Sequence, residues 1–322
     1  MDFQLNEDQV ALQEGIRAFA SGNYAFERIP EIEKQPLNRE AWSELAEMGV
    51  FSLRLSEADG GLGLGMVEAV VVFQELGKCL APGPLIWSQL AAGLVDGAAT
   101  GEAIVGGLDL TRPGSEPLLL EYGNQLDTLL VLRPEGVFRV DPKALEMKPV
   151  GTPLDPLTPM QRVKALPQGD LLTPDVESLR TQGAALAAGL MLGIAEATLE
   201  YANDYAKTRE QFDRPIGSFQ AIKHMLADMY VRLGQVRCAT YAAGATLDDP
   251  GAGNVVRAVS SAKVVAGEAA MKNARACIQI YGGMGYTWEL PPHYYLKRTF
   301  VLEHAFGTID EHAERVADSL AA

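Results

Sequence analysis

The sequence of residues 218–236 is SFQAIKHMLADMYVRLGQV. Seven apolar side chains recur in it at intervals of three or four residues, or of one: Phe219, Ile222, Met225, Leu226, Met229, Leu233 and Val236. That spacing places them along one face of an α-helix. We therefore predict an amphipathic helix over 218–247. A helix of this kind buries its apolar face against other elements.

Two more long helical stretches lie beside this one in the sequence. Residues 174–207 are rich in small apolar side chains, and 252–281 carry valines and alanines at helical spacing. Long helices with short connections are typical of a helical bundle. Residues 1–100 are also predicted to be helical, with Asn6 as an N-cap and with Gly77 ending a buried helix that starts at Met66.

Between these helical regions the composition changes. Proline and glycine become frequent, and short apolar runs occur at 117–122, 128–132 and 136–140. Such runs, separated by turn residues, are typical of β-strands. The sequence therefore predicts a mainly α protein with three domains: an N-terminal helical domain (1–100), a small β domain (101–172) and a C-terminal helical bundle (173–322).

The composition excludes several classes of protein. The chain has 322 residues, 48% of them hydrophobic, and its formal net charge is −15. That apolar content excludes bulk disorder, and the acidic balance argues against nucleic-acid binding. Cys79, Cys238 and Cys277 are too widely spaced for a metal site or a disulfide framework, which favours a reducing compartment.

The same sequence indicates no membrane segment and no export signal. The longest apolar stretch, Gly183 to Ala195, has 13 residues, whereas a membrane span needs about 18 or more. The first residues, Met1–Gln9, are acidic and lack the pattern of a signal peptide. We therefore expect a cytoplasmic protein that does not associate with membranes.

Several stretches resemble the acyl-CoA dehydrogenase family, in the family's order and spacing. They are Met1–Gln9, Glu57–Gly63, Phe73–Gly77, Ala206–Phe212, Gly217–Ile222 and Gln279–Tyr286. The resemblance implies that family's fold: an N-terminal α-helical domain, here a shortened middle β domain, and a C-terminal four-helix bundle. It also implies an FAD-dependent oxidoreductase that acts on the CH–CH bond of an acyl-CoA thioester. An electron-transferring flavoprotein would be its acceptor.

The resemblance assigns cofactor-binding roles to six residues: Arg209, Phe212, Gln220, Gln279, Gly282 and Gly283. In the family these groups reach across a dimer interface to the ADP half of the neighbour's FAD. The residue types suit that role. An arginine fork matches a pyrophosphate, and glycines let backbone N–H groups approach a ligand.

The chain departs from the family at the catalytic base. The base is a glutamate in a Tyr-Glu-Gly-Thr motif, and the segment here is Ala305-Phe306-Gly307-Thr308. Phe306 therefore stands at the usual base position and cannot accept a proton. A second family position for the base falls on Gly183, followed by Ala184. Glu303 is the best substitute in the chain.

Other polar residues near Phe306 have simpler interpretations. Thr308 and Glu311 have the spacing of a capping box, with Asp310 in the first turn of the helix. His304 and His312 are expected to be surface residues or partner contacts. We predict no metal site.

The β block also lacks the family's motifs that hold the isoalloxazine ring, and it contains no tryptophan. Three hypotheses follow. The first is a subunit of a heteromeric acyl-CoA dehydrogenase whose homologous partner carries the catalytic glutamate; a steroid side-chain CoA ester is a candidate substrate. The second is a self-sufficient homomeric dehydrogenase with a relocated base. The third is a non-catalytic helical scaffold protein.

Overall fold

The computed structural model describes residues 4–112 and 117–321. Its helices are α1 (Glu7–Asn23), α2 (Ile29–Ile32), α3 (Arg39–Glu47), α4 (Met66–Lys78), α5 (Leu85–Ala91), α6 (Val176–Thr208), α7 (Gln220–Asp248), α8 (Val255–Tyr281), α9 (Pro292–His304) and α10 (Ile309–Ala321). Its strands are β1 (Val105–Asp109), β2 (Leu118–Glu121), β3 (Thr128–Arg133), β4 (Gly136–Val140), β5 (Met147–Pro149), β6 (Met160–Val163), β7 (Asp170–Thr173), β8 (Glu210–Gln211) and β9 (Arg214–Pro215). The prediction of a mainly α protein with a small sheet region is confirmed.

The chain divides into two compact units. The first comprises the described residues within Met1–Phe26, Val70–Ala81 and Ala184–Ala322, and the second comprises Glu27–Ala69 and the described residues within Pro82–Gly183. The boundaries of the three predicted domains remain a prediction.

The first unit is built around the bundle helices α6, α7 and α8, each of which begins and ends within three residues of its predicted bounds. The amide of Asn273 on α8 is fully buried. Its Nδ2 donates to the backbone oxygens of Ala195 on α6 and Met229 on α7, at 3.2 Å each. Its Oδ1 accepts from Arg232 at 2.8 Å. One buried side chain therefore ties three helices together, with its polar atoms satisfied.

Helices α4 and α6 approach each other through glycines. A Cβ added to Gly193 would lie 2.0 Å from the backbone oxygen of Gln74, and one added to Gly77 would lie 2.1 Å from that of Leu190. The prediction that Gly77 ends α4 is therefore wrong, because α4 continues to Lys78. Gly77 allows close helix packing, and the left-handed residue that follows the helix is Leu80, with φ 53°.

Helix α6 is the one helix among the described residues that is long and apolar enough to cross a membrane. In this protein 83% of its apolar window is buried. The apolar residues of α6 therefore pack mainly against other residues of the protein itself.

The second unit holds two sheets. One has the strand order β1-β3-β4-β7, with β1 parallel to β3, and the other has the order β2-β6-β5. The predicted strands at 117–122, 128–132 and 136–140 correspond to β2, β3 and β4. Trp87 of α5 packs flat against β1, since a Cβ on Gly107 would lie 2.2 Å from the indole. The preceding helix thus supplies the sheet with an indole that its own strands lack.

Candidate functional site at one end of the bundle

The last turns of α6 and α8 and the first turn of α7 meet at one end of the first unit. Their shared core contains Ala206, Met229, Cys277 and Ile280 with partly buried side chains packed against it. The rings of Tyr205 and Tyr281 stack at 4.0 Å between centroids, with 12° between their planes. This core fixes the positions from which the six predicted cofactor-binding residues project.

A short hairpin, β8 and β9, connects α6 to α7. Its two turn residues, Phe212 and Asp213, both have positive φ, 56° and 61°. Such turns favour asparagine, aspartate and glycine, so the conformation is costly at Phe212. Phe212 is 86% exposed. The rings of Phe212 and Phe219 are nearly perpendicular, with 6.2 Å between their centroids. The Arg214 guanidinium lies 4.1 Å from the centre of the Phe219 ring.

All six predicted residues are exposed: Arg209, Phe212, Gln220, Gln279, Gly282 and Gly283. Among the described residues, the side chains of Arg209, Gln220 and Gln279 form no ion pair or hydrogen bond, and each is open to an external group. No atom lies within 4 Å of a Cβ added to Gly282 or Gly283. Open space therefore lies beside two backbone N–H groups, and Arg209 adds a fixed positive charge at the end of the neighbouring helix α6; both suit a dinucleotide.

The start of α7 adds a feature that sequence reasoning missed. The N-cap, Phe219, makes no side-chain hydrogen bond to the first turn of the helix. The N–H groups of that turn, beginning at Gln220, therefore remain available to an acceptor. A helix N-terminus favours anions such as phosphate groups. The absence of Ser, Thr, Asp or Asn at position 219 was the signal in the sequence.

The loop at the usual base position is held by buried polar groups. Phe306 is 3% exposed and has φ 56°. Its backbone oxygen accepts from His312 Nε2 at 3.0 Å, and His312 Nδ1 lies 3.1 Å from the Ser260 hydroxyl. The expectation that His312 lies on the surface is therefore wrong. It is 2% exposed, because its ring bridges this loop and α8.

Lys263 of α8 secures the same loop. This fully buried side chain donates from Nζ to the backbone oxygens of Glu303 and Gly307 at 2.9 Å, and to that of Leu302 at 3.3 Å. The carbonyl groups at the C-terminal end of a helix lack partners within the helix, and a lysine satisfies them here. Lys263 and His312 together fix the conformation in which Phe306 is buried.

The neighbouring acids have the simpler roles that their spacing predicted. The carboxylate of Glu311 accepts from the Thr308 N–H at 2.8 Å, and the Glu311 N–H lies 3.4 Å from the Thr308 hydroxyl oxygen. This is the predicted capping box. Glu303 is half-buried, and Gly183 and Ala184 are buried in α6. Arg180, one turn earlier, pairs with Asp109 at 2.8 Å.

The segment Phe73–Gly77 is structural. Glu75 is buried and accepts two hydrogen bonds from the guanidinium of Arg17, at 3.1 and 3.2 Å. Gln74 accepts from the Tyr241 hydroxyl at 2.7 Å and donates to Glu196. Burial raises the pKa of Tyr241 to about 12, so it remains a hydrogen-bond donor at neutral pH. The segment Met1–Gln9 begins with three residues outside the described range; its Asn6 and Gln9 form a capping box on α1.

Metal ligands and cysteine thiols are the remaining candidates for chemistry. No group of three or more potential metal ligands occurs among residues 4–112 and 117–321. Burial raises the pKa of both the Cys79 and the Cys277 thiols to about 12, which makes them poor nucleophiles. Cys277 is buried and Cys79 is half-buried.

Comparison with known proteins identifies the family of this chain. The family models of the acyl-CoA dehydrogenase N-terminal and C-terminal domains match residues 6–102 and 177–321. The chain is 32% identical to acyl-CoA dehydrogenase IpdE2 of Mycobacterium tuberculosis over 263 residues, 80% of this chain and 79% of that protein.

Two solved structures show the same fold. The ChsE4–ChsE5 complex from Mycobacterium tuberculosis superposes with a TM-score of 0.86 at 26% identity, over 100% of this chain and 99% of the other. A steroid ACAD variant, Tcur3481–Tcur3483, gives 0.85 at 24% identity, over 98% of each chain. The two family models and the relative in Mycobacterium tuberculosis show that the chain belongs to the acyl-CoA dehydrogenase family, whose cofactor is FAD.

Proposed function

We propose that this chain is one subunit of a heteromeric, FAD-dependent acyl-CoA dehydrogenase. It supplies one wall of the FAD site of a homologous partner, and the partner supplies the catalytic glutamate. The observation that carries the proposal is a contrast between two places in the first unit. The groups that suit a dinucleotide are exposed and intact, whereas the usual base position holds the buried phenyl ring of Phe306.

In this arrangement the chain binds and orients the cofactor. Arg209 pairs with the pyrophosphate, and the N–H groups near Gly282 and Gly283 approach the same half of the cofactor without steric hindrance. Gln279 offers an amide for a hydrogen bond to a ribose or phosphate. FAD held by these residues would supply the hydride acceptor for the β-carbon of the acyl-CoA, and the partner's carboxylate would be the base for the α-proton. An electron-transferring flavoprotein is the proposed electron acceptor.

The relatives support the heteromeric form and a substrate class. One structural neighbour is a complex of two differently named chains, and another is described as a steroid ACAD. We therefore propose a steroid side-chain CoA ester as the substrate. We also propose a cytoplasmic location, which the three free cysteines support.

The test is to purify the chain alone and together with a co-expressed homologue from an adjacent gene, then measure bound flavin by absorbance and acyl-CoA oxidation. We expect little FAD and no activity for the chain alone. The complex should contain bound FAD and oxidise the acyl-CoA. A yellow, active preparation of the chain alone would instead favour the homomeric enzyme, with Glu303 as its base. A colourless and inactive complex would favour the scaffold protein.

A matched pair of variants tests the assigned site. Arg209→Ala should lower the FAD content of the complex and leave the melting temperature of the isolated chain unchanged, because the lost interaction is with the cofactor. Lys207→Ala is the control, since Lys207 is exposed two residues away and pairs with Asp204 at 3.1 Å. Equal flavin content in both variants would contradict the role of Arg209.

A further inference from the structure

Three large apolar side chains are exposed within five residues of one loop. Met284, Tyr286 and Trp288 follow α8 and are 46%, 69% and 61% exposed. We refer to these three residues as the aromatic patch. Single exposed apolar residues are common on protein surfaces, but a local cluster with tyrosine and tryptophan is typical of an interaction site.

The exposed indole is held in place by its neighbours. Lys297 Nζ lies 4.0 Å from the centre of the Trp288 ring system. The rings of His293 and Tyr294 meet the indole at steep angles of 80° and 72°, with centroids 4.9 and 5.8 Å away. A side chain that is already fixed loses little conformational entropy when a partner covers it. Trp288 is therefore both exposed and preorganised.

His293 indicates that this region is not optimised for the isolated chain. It is 4% exposed, and neither ring nitrogen makes a hydrogen bond within the described residues. A buried polar atom without a partner destabilises a fold. The unpartnered His293 ring is the one that contacts Trp288, with 4.9 Å between the ring centroids. Function at this position is one reason for a protein to retain such a cost.

The aromatic patch is also continuous with the proposed cofactor site. Gln279, Gly282 and Gly283 come directly before Met284, and the turn is closed by a hydrogen bond from the Thr287 N–H to the Met284 oxygen at 3.1 Å. A partner whose FAD contacts the glycines must therefore approach the residues that follow them. This continuity identifies the occupant of the patch.

We propose that the aromatic patch anchors the homologous partner subunit, with Trp288 inserted into an apolar pocket of that subunit. This inference rests on the proposed heteromeric function and adds the residues that stabilise the complex. Tryptophan and tyrosine are the side chains that most often dominate the binding energy of protein interfaces. Loss of the Trp288 side chain should therefore weaken the complex much more than loss of an exposed aromatic residue elsewhere.

The first experiment measures assembly with the co-expressed homologue by sedimentation velocity over a dilution series. Trp288→Ala should raise the dissociation constant at least about tenfold, with the melting temperature of the isolated chain unchanged. Tyr230→Ala is the control, because Tyr230 on α7 is 70% exposed. An unchanged dissociation constant for Trp288→Ala, or an equal loss in the control, would overturn the anchor.

The second experiment observes Trp288 directly by acrylamide quenching of its fluorescence. Trp42 is 1% exposed and Trp87 half-buried, so the difference between wild type and Trp288→Phe isolates the signal of Trp288. We expect that difference signal to be quenched in the isolated chain and protected in the complex. Quenching that stays unchanged on assembly would overturn the proposal.

The two proposals fail in different ways. If Trp288→Ala assembles normally while Arg209→Ala still loses FAD, the anchor is wrong and the shared cofactor site stands. If Trp288→Ala dissociates the complex while Arg209→Ala retains its FAD, the anchor stands and the cofactor assignment is wrong.

Discussion

The ammonium group of Lys263 lies 2.9 Å from the carbonyl oxygen of Gly307, with both groups buried inside the first unit. The same nitrogen donates to two carbonyl oxygens at the end of α9. Lys263 therefore replaces water as the partner of a helix terminus and its following turn. A buried charge of this kind is tolerated only where its hydrogen bonds are satisfied.

We predict that Lys263→Met destabilises the chain by about 1–3 kcal/mol, because the carbonyl groups stay buried and lose their donor. Urea unfolding of wild type and variant measures the change. Lys272→Met is the control: Lys272 is exposed on the same helix and pairs with Glu268 at 2.6 Å. A surface pair of this type contributes less than about 1 kcal/mol. Equal losses in the two variants would contradict the role of Lys263.

We predict opposite effects for alanine at two helical glycines. Gly193→Ala places a Cβ where the backbone oxygen of Gln74 lies 2.0 Å away, so α4 and α6 must separate. The expected loss is about 1–3 kcal/mol. Gly234→Ala on α7 meets no atom within 4 Å and should stabilise the chain by about 0.5–1 kcal/mol. Thermal unfolding distinguishes the two, and a stable Gly193→Ala variant would show that the helices do not pack this closely.

These glycines show where sequence reasoning stops. The apolar periodicity of α7 and α8 predicted their extents, because a helix that must bury one face repeats its apolar residues along the chain. A glycine near the end of a helical pattern has two uses, as a helix terminator or as a point of close packing. Only the neighbouring helix decides between them, as Leu190 does for Gly77.

The same limit explains the other differences. His312 was expected at the surface because its partners, Ser260 and the Phe306 oxygen, lie on other elements. Strand β1 was missed because it contains two glycines, and its pairing with β3 is parallel and distant in the sequence. The six proposed cofactor-binding residues could be assigned without knowledge of their spatial neighbours, since the family resemblance rests on short local motifs.

We predict that His293 gives the chain a stability that falls as the pH is lowered. Burial, assisted by the charge of Lys297, lowers the pKa of His293 to about 4 from an ordinary value of 6.5. The unfolded chain therefore binds a proton at a higher pH than the folded chain. The contribution is fully present above about pH 6.5 and is lost as the pH falls toward 4.

His293→Phe tests this prediction, because the substitution removes the titration and two buried nitrogens without hydrogen bonds. We expect a smaller loss of stability between pH 6.5 and 4 than in wild type, measured by urea unfolding. Comparison at pH 8 is the control, since the ring is neutral there in both states and only the effect of the substitution on packing and desolvation remains. Parallel pH curves for the two proteins would show that His293 is not the group responsible.

The last prediction concerns Phe306. Phe306→Glu restores a carboxylate between Ala305 and Gly307, but we expect no acyl-CoA oxidation by the chain alone. A base acts only when the α-carbon and the flavin are held against it in a reactive geometry. The second unit lacks the family's sequence motifs for holding the ring. The phenyl group is 3% exposed, so a carboxylate in its place is desolvated and destabilises the fold by at least about 2 kcal/mol.

Phe306→Leu is the control for lost ring volume without added polarity, and it should be the more stable variant. Melting temperature and reduction of an artificial electron acceptor are the measurements. Turnover by Phe306→Glu without a partner would demonstrate a complete flavin and substrate site in this chain, and the division of labour between two subunits would then be wrong.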